Sequence, residues 1–444
     1  MKKKTFFNRI MTLFLLLGTL LSCPLPLKAA ESSAPSTEAA DAVLLYQIEH
    51  GKTLVAKNVE KRIYPASTVK IMTGVLAIEK LQGRLDQTVT VTGEMLALTS
   101  GKRLGLVAGE RVRIKDLLFA TVCGGNNDAA YVLAHTASGS AQAFVGEMNE
   151  KALSLGMTAT HYTNPTGMDD PDMYTTAEDV MRLAQYALSV PLFMEIASTQ
   201  KYAMAATTHS GARNVHNRNY LVSATVTNEY YYAPAKGLNA GSTTGGGDCV
   251  VTSTSVGDLS YVCVVMGVTP PATSSDVTLS YVLAKNLLLY ARNSFEYVTL
   301  LEKGTVLTDL PVTLSGRDER VDLILSEDVS LLLDTGLDRE AELTYSIKLL
   351  QESLKAPVAQ GQTAGYVSVL HGEELLATAQ LVTAAAVERS AFLNALNRIK
   401  EFSSSRTFLA TLITFVILSA LYVYFHTGRR RRRNRTRAKY FRAK

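Results

Sequence analysis

An uncharged apolar run of 18 residues, Phe408 to Phe425, is followed at once by Arg429 to Arg433, Arg435, Arg437, Lys439, Arg442 and Lys444. A run of that length suits a helix crossing hydrocarbon, and the basic flank predicts that the following tail stays on the cytoplasmic side. At the other end, Lys2, Lys3, Lys4 and Arg9 precede the apolar stretch Ile10 to Leu21 and the small-residue sequence Lys28-Ala29-Ala30. This is the pattern of a secretory signal peptide; its core is shorter than the roughly 20 residues a span needs. The expected layout is a signal peptide at 1–30, a transmembrane helix at 407–426 and a basic cytoplasmic tail at 427–444, with everything between exported. A retained N-terminal anchor competes with cleavage. Lipidation of Cys23 is disfavoured by Ser22 and Pro24 on either side.

The formal charge of +5 is therefore misleading. Setting aside the ten basic residues of the tail and the five of the signal leaves 30 basic against 40 acidic side chains, a net charge of −10. An exported segment of that sign argues against nucleic-acid or other polyanion binding. Three cysteines remain, Cys123, Cys249 and Cys263, an odd number without metal-ligand spacing. They imply no disulfide framework; Cys249 and Cys263 fall on consecutive predicted strands, where buried free thiols are favoured over a bridge.

After a Ser/Ala/Pro/Glu-rich linker at 31–41, strand patterns at Val43 to Gln47 and Thr53 to Ala56 flank the turn His50-Gly51. Helical spacing follows at Ser67 to Leu81, Ile114 to Thr136, Ser140 to Leu155, Thr176 to Leu188 and Pro191 to Ala197. Strands return at Ala235 to Gly241, Asp248 to Thr254 and Leu259 to Val268, before a helix from about Ser275 to Asn293. The order predicts an α+β domain over 42–296, with helices packed on a mainly antiparallel sheet. From 297 to 387 short alternating stretches such as Val321 to Leu325 and Tyr366 to Leu370 predict a small all-β domain. Residues 388–406, with Phe392, Leu396 and Ile399 at helical spacing, predict a connecting or interfacial helix.

The chemistry centres on Tyr64-Pro65-Ala66-Ser67-Thr68-Val69-Lys70. A Ser and a Lys three apart at a helix start project from one face, so the amine can take the hydroxyl proton. Oriented N–H groups at the helix start favour a developing oxyanion, and desolvation lowers the lysine pKa towards that of a useful base. Ser-x-x-Lys alone is a weak signal, since a serine there is more often a helix cap.

The surrounding residues carry far more. Arg62 to Thr73 resembles the nucleophile segment of the serine-type D-alanyl-D-alanine carboxypeptidases, the low-molecular-mass penicillin-binding proteins. Leu104 to Glu110, Asn127-Asp128-Ala129-Ala130, Asn164 to Met168, Tyr174 to Asp179 and Asn217 to Leu221 resemble further family segments in the family's order, and Leu354 to Gln362 resembles its C-terminal β domain. The resemblance spans about residues 40 to 426. It implies a β-lactamase/transpeptidase-like domain, an acyl-serine hydrolase acting on peptidoglycan stem peptides, and β-lactams as covalent ligands. Ser67 is then the nucleophile, Lys70 its general base and Asn127 a residue that positions substrate. No cofactor or metal site is implied.

Two family motifs are altered. Aligning Ser-x-Asn-Asp-Ala on Asn127-Asp128-Ala129 puts Gly125 where the relay serine belongs. The Gly-x-Lys-Thr-Gly strand falls on Gly237-Leu238-Asn239-Ala240-Gly241, so Asn239 and Ala240 replace a cation and a hydroxyl. Asn239, Gly241 and Ser242 are the expected substrate-binding positions of this degenerate motif; the Ser242 and Ser67 N–H groups are the expected oxyanion hole. Lys236, three residues from Asn239, is expected on the opposite strand face. A charged hydrogen bond is worth about 1.5–3 kcal/mol, so these losses predict much-reduced turnover. The alternatives are a catalytically impaired homologue that binds peptidoglycan or organises wall-synthesis proteins, and a β-lactamase, which the anchor and the β domain disfavour. His161, His209 and His216 lack metal-spaced partners, Asp169, Asp170 and Asp172 read as a solvated acidic turn, and Tyr230 to Tyr232 read as packing.

Overall fold

The computed structural model describes residues 33–269, 279–316 and 319–440. The predicted signal peptide lies outside the described residues, as do 275–278 of the predicted last helix of the α+β domain. The chain divides into two compact units, one built from the chain up to Phe295 with Asp334–Gly336, the other from Glu296–Leu333 and the chain from Leu337 onward.

In the first unit five strands form one antiparallel sheet: β1 (Ala42–Gln47), β2 (Lys52–Lys57), β3 (Ala235–Thr243), β4 (Gly247–Val256) and β5 (Leu259–Val268), in the order β2-β1-β5-β4-β3. Strands β1 and β5 at its centre read as nearly continuous apolar runs because both of their faces are covered. Val43, Leu45, Val250, Cys263 and Val265 face the core that includes the C-terminal helix of this unit, Leu279–Ser294. Leu44, Cys249, Val251, Val262 and Val264 face the larger core built with the other helices. Cys249 and Cys263 therefore point to opposite faces. Both are free and buried, as is Cys123.

The helical layer comprises α1 (Val69–Leu81), α2 (Ile114–Val122), α3 (Asn127–Ser138), α4 (Ala141–Ser154), α5 (Ala177–Leu188) and α6 (Pro191–Ser198). Ser140 caps α4 by accepting from Ala143 N at 3.0 Å, and Thr176 caps α5 by accepting from Asp179 N at 3.1 Å. Each cap contributes about 1 kcal/mol. The single helix expected over Ile114 to Thr136 is in fact α2 and α3. The chain breaks between them because Gly125 turns left-handed (φ +69°) and Asn126 is extended, conformations that a continuous helix cannot hold. That break presents the start of α3 to the start of α1, across the mouth of the site.

In the second unit a six-stranded sheet carries a core of Leu310, Val321, Leu323, Val367, Val369 and Leu381, an all-β arrangement. Its alternating strands, such as Arg320–Leu325 and Thr363–His371, bury every second side chain, as the period of two requires. A helix at Ala391–Ser403, capped by Ser390, leaves Phe392, Leu396, Ile399 and Phe402 exposed at helical spacing. The chain then enters the helix Arg406–Tyr440, of which Arg406–Thr427 is long and apolar enough to cross a membrane, with none of its apolar stretch buried.

Candidate active site

Ser67 sits in a single 3-10 turn, Ala66–Thr68, that runs directly into α1. Ala66 is held at φ +47°, a left-handed conformation that costs a non-glycine residue about 1–3 kcal/mol. The turn is fixed from two sides by close backbone approach. A Cβ on Gly167 would lie 1.7 Å from Ala66 O, and one on Gly241 would lie 2.6 Å from Ser67 Oγ. Glycine is thus required at both positions, and the nucleophile has little freedom to shift.

Lys70 lies one helical turn below and is almost wholly buried. Its Nζ is 3.4 Å from Ser67 Oγ and donates to Thr166 O at 2.6 Å. The Thr166 carbonyl is presented by a tight turn in which Asn164 Oδ1 accepts from Thr166 N and Gly167 N at 3.1 and 2.9 Å. Burial, then the nearby Arg218, then Lys102 lower the Lys70 pKa to about 7. With one N–H engaged by Thr166, the neutral amine has a lone pair for the Ser67 proton, the arrangement that general-base activation needs.

The second motif is anchored through its backbone. Asn127 N donates to Lys102 O at 2.8 Å and Asn127 Nδ2 donates to Ser100 O at 2.7 Å, while Asn127 Oδ1 is buried with no hydrogen-bond partner among the described residues. The neighbouring Asp128 carboxylate accepts from the backbone N–H groups of Leu104, Gly105 and Leu106 at 2.8–3.0 Å. The segment 100–106 is consequently fastened to the start of α3. At Gly125 the position of a Cβ is 3.3 Å from Arg218 Cγ, so the stem of Arg218 runs across the place of the missing serine.

On the third motif, a register shift between Gly237 and Asn239 inserts Leu238 as a bulge, putting Lys236 opposite Ser253 and Asn239 opposite Val251. Those two partners are two residues apart. The expectation that Lys236 and Asn239 face opposite ways is therefore corrected: the bulge returns them to one face. Lys236 is nonetheless exposed and lines a different cavity, with Glu49 and Ser260. Asn239 is buried, and its amide donates to Val122 O at 3.3 Å. Its side chain is thus turned towards the end of α2.

The cleft itself encloses about 260 Å³ and brings together Ser67, Lys102, Asn127, Arg218, Ala240 and Ser242 among its lining. Asn239 is not part of that lining, whereas Ser242 is, with its hydroxyl bonded to the Asp248 carboxylate. Two cations were missed by reading the sequence. Lys102 donates from Nζ to Gly124 O at 2.7 Å, and burial, then Arg218, lower its pKa to about 8. Arg218 lies within a family-like segment, flanked by Asn217 and Asn219, both buried in the fold; its place between two amides in that segment was the available signal. Together they place positive charge in the cleft from loops, where the third motif would have supplied it from a strand.

The remaining candidates have other roles. Asp169 accepts from Thr243 Oγ1 at 2.6 Å and Gly245 N at 2.7 Å, which ties down the edge of the cleft. Tyr230 and Tyr232 are buried in the core, and burial holds the Cys123 and Cys249 thiols up near 12. Among the described residues no cluster of His, Cys, Asp or Glu could hold a metal ion.

A serine and a buried lysine of lowered pKa on one helical turn, pressed against the edge of an antiparallel sheet, define the class of serine acyl-transfer proteins. Residues 28–270 match the D-alanyl-D-alanine carboxypeptidase family, and residues 295–389 match the C-terminal domain of penicillin-binding protein 5. The chain belongs to the D-alanyl-D-alanine carboxypeptidase family. It is 28% identical over 392 residues to D-alanyl-D-alanine carboxypeptidase DacF of Bacillus subtilis, covering 86% of this chain and 96% of that protein. Among solved structures, penicillin binding protein 5 of Haemophilus influenzae is 25% identical with a TM-score of 0.57, covering 80% of this chain and 100% of that one. The carboxypeptidase DacD of Francisella tularensis, 22% identical with a TM-score of 0.62 over 81% of this chain and 96% of that one, shares the fold.

Proposed function

We propose that this chain is a membrane-anchored D-Ala-D-Ala carboxypeptidase that hydrolyses the terminal D-alanine from peptidoglycan stem peptides through an acyl intermediate on Ser67, and that β-lactams acylate the same serine. The observation that carries the reading is the Ser67–Lys70 pair: a buried amine 3.4 Å from the hydroxyl, its pKa lowered to about 7. In this mechanism Lys70 takes the Ser67 proton as Oγ attacks the carbonyl carbon. The N–H groups of Ser67 and Ser242 receive the oxyanion, and Asn127 Oδ1 accepts a substrate backbone N–H. Arg218 attracts the substrate's terminal carboxylate in place of the third-motif lysine. The Arg406–Thr427 helix anchors the enzyme, the signal peptide directs its export, and the basic tail lies in the cytoplasm.

A second reading is favoured by one observation. Asn239 is tied to Val122 O and contributes nothing to the cleft, which suits a homologue that binds wall peptides or wall-synthesis proteins and turns over slowly. One experiment separates the two. The purified full chain in detergent is treated with a fluorescent penicillin, and D-alanine release from an N-acylated peptide ending in D-Ala-D-Ala is followed in parallel. The enzyme reading expects labelling and release, both abolished in Ser67→Ala. Labelling without release supports the slow binding homologue, and no labelling of the wild type rejects Ser67 as a working nucleophile.

A further inference from the structure

We propose that Lys102 is the general acid and base on the leaving-group side of the cleft, delivering a proton to the departing D-alanine nitrogen and later taking one from the hydrolytic water. The inference rests on the reading that Ser67 is acylated by peptides ending in D-Ala-D-Ala. Its geometric basis is where the ammonium is held. Lys102 Nζ is bonded to Gly124 O, next to the glycine that replaces the relay serine, and Lys102 lines the same cleft as Ser67. The Lys102 backbone is fixed by Asn127, and the chain just beyond it by Asp128, so the long side chain starts from a rigid base. An ammonium has three donors, and Gly124 O takes one, leaving two for a reacting group.

The other groups facing this part of the cleft cannot do the same work. Arg218 stays protonated and cannot give up a proton at working pH. The Cys123 thiol is buried, donates to Thr199 O at 3.4 Å, and is held up near 12. Asp169 is engaged by Thr243 and Gly245, and Asp248 by Ser242. Asn127 has no titratable proton. Lys70 is committed to Ser67. Burial lowers both lysines, Lys70 further than Lys102, so Lys70 gives up its proton first and Lys102 keeps its own to donate.

The cycle balances without any further reactant except water. In acylation Ser67 Oγ bonds to the carbonyl carbon and its proton passes to the Lys70 amine. The C–N bond breaks, and the leaving nitrogen takes a proton from the Lys102 ammonium. In deacylation the Lys102 amine takes a proton from water as the water oxygen bonds to the acyl carbon. The Ser67 C–O bond breaks, and Ser67 recovers its proton from Lys70. Both lysines return to their starting states.

The test compares two leaving groups in the full-length protein. One peptide ends in D-Ala-D-Ala, the other is its ester analogue ending in D-Ala-D-lactate, whose leaving oxygen needs far less protonation. Lys102→Arg keeps the charge but cannot exchange a proton, and Lys102→Met removes both. General acid–base help contributes about 10²–10⁴-fold. The expected result for Lys102→Arg is a loss of about 10²-fold or more in D-alanine release, with ester acylation changed by less than about tenfold. Ester cleavage should then show a burst of one D-lactate per enzyme followed by slow turnover, since deacylation has lost its base. Wild-type amide turnover should also fall as pH rises through about 8, a limb that Lys102→Arg lacks. Amide turnover by Lys102→Arg within about threefold of wild type overturns the proposal, as does an equal loss with amide and ester. In both outcomes the wild type still labels with penicillin and releases D-alanine, so they are distinct from a wild type that does neither, which removes the enzyme reading and this one with it.

Discussion

The nucleophile turn, Pro65 to Lys70, and the strand that faces it, Gly237 to Gly241, meet the same demands in different ways. The turn depends on contact. Ala66 is held at a positive φ, with Gly167 and Gly241 closing on the Ala66–Ser67 backbone and the Ser67 hydroxyl, so a single added carbon collides. The strand's share of the site is a matter of field: what the family lysine supplies there is positive charge, and charge acts over several ångströms through a poorly screened interior. A backbone contact cannot be supplied from another segment, whereas a long cation can. Burial first, and then Arg218 and Lys102 reaching the cleft from loops, lower the Lys70 pKa to about 7, while Asn239 turns away to Val122 O.

Three substitutions probe that contrast, in falling order of effect. Gly167→Ala puts a carbon into Ala66 O and strains a left-handed glycine (φ +80°), so it should cost about 3 kcal/mol or more and abolish penicillin labelling. Thermal unfolding checks the first effect and labelling the second; near-wild-type behaviour in both would show that contact is not what fixes the turn. Arg218→Gln removes a positive neighbour, so the Lys70 pKa should rise from about 7 and less amine should be neutral at neutral pH. Each unit of rise lowers the acylation rate below the pKa about tenfold, and that part of the loss should be recovered at alkaline pH, whereas the part due to the lost carboxylate contact should persist at every pH. An acylation profile over pH 5–10 measures it, and an unmoved midpoint breaks the idea that loop cations set the base. Asn239→Ala deletes one hydrogen bond outside the cleft and should cost about 1 kcal/mol in stability, with acylation changed less than about threefold. A large loss of acylation would return the strand to a direct role.

The membrane-length helix and the serine–lysine pair were legible in residue order, because each is a local pattern of length or helical spacing. The α+β architecture followed from the order of strands and helices. The site's electrostatics did not. Lys102 lies 32 residues from Lys70 in the chain and Arg218 lies 148, and only the folded segments 100–106 and 217–219 show where their side chains end. The Lys236 expectation failed for a related reason: alternation assumes an unbroken ladder, and the Leu238 bulge breaks it without a proline or charge to announce it. The split of the helix at Gly124-Gly125 was hidden by apolar spacing that continues on both sides.

The three buried thiols among the described residues give the molecule a clock for its own opening. Cys249 and Cys263 are sealed on opposite faces of one sheet, and Cys123 is sealed beneath the helix break, each at 1% exposure or less. A thiol-modifying dye can reach Cys249 and Cys123 only when the larger helical layer lifts from the sheet, and Cys263 when the Leu279–Ser294 helix does. With the dye in excess, its incorporation at each of these three positions counts excursions of that layer, so separate rates would reveal whether the two layers open as one unit.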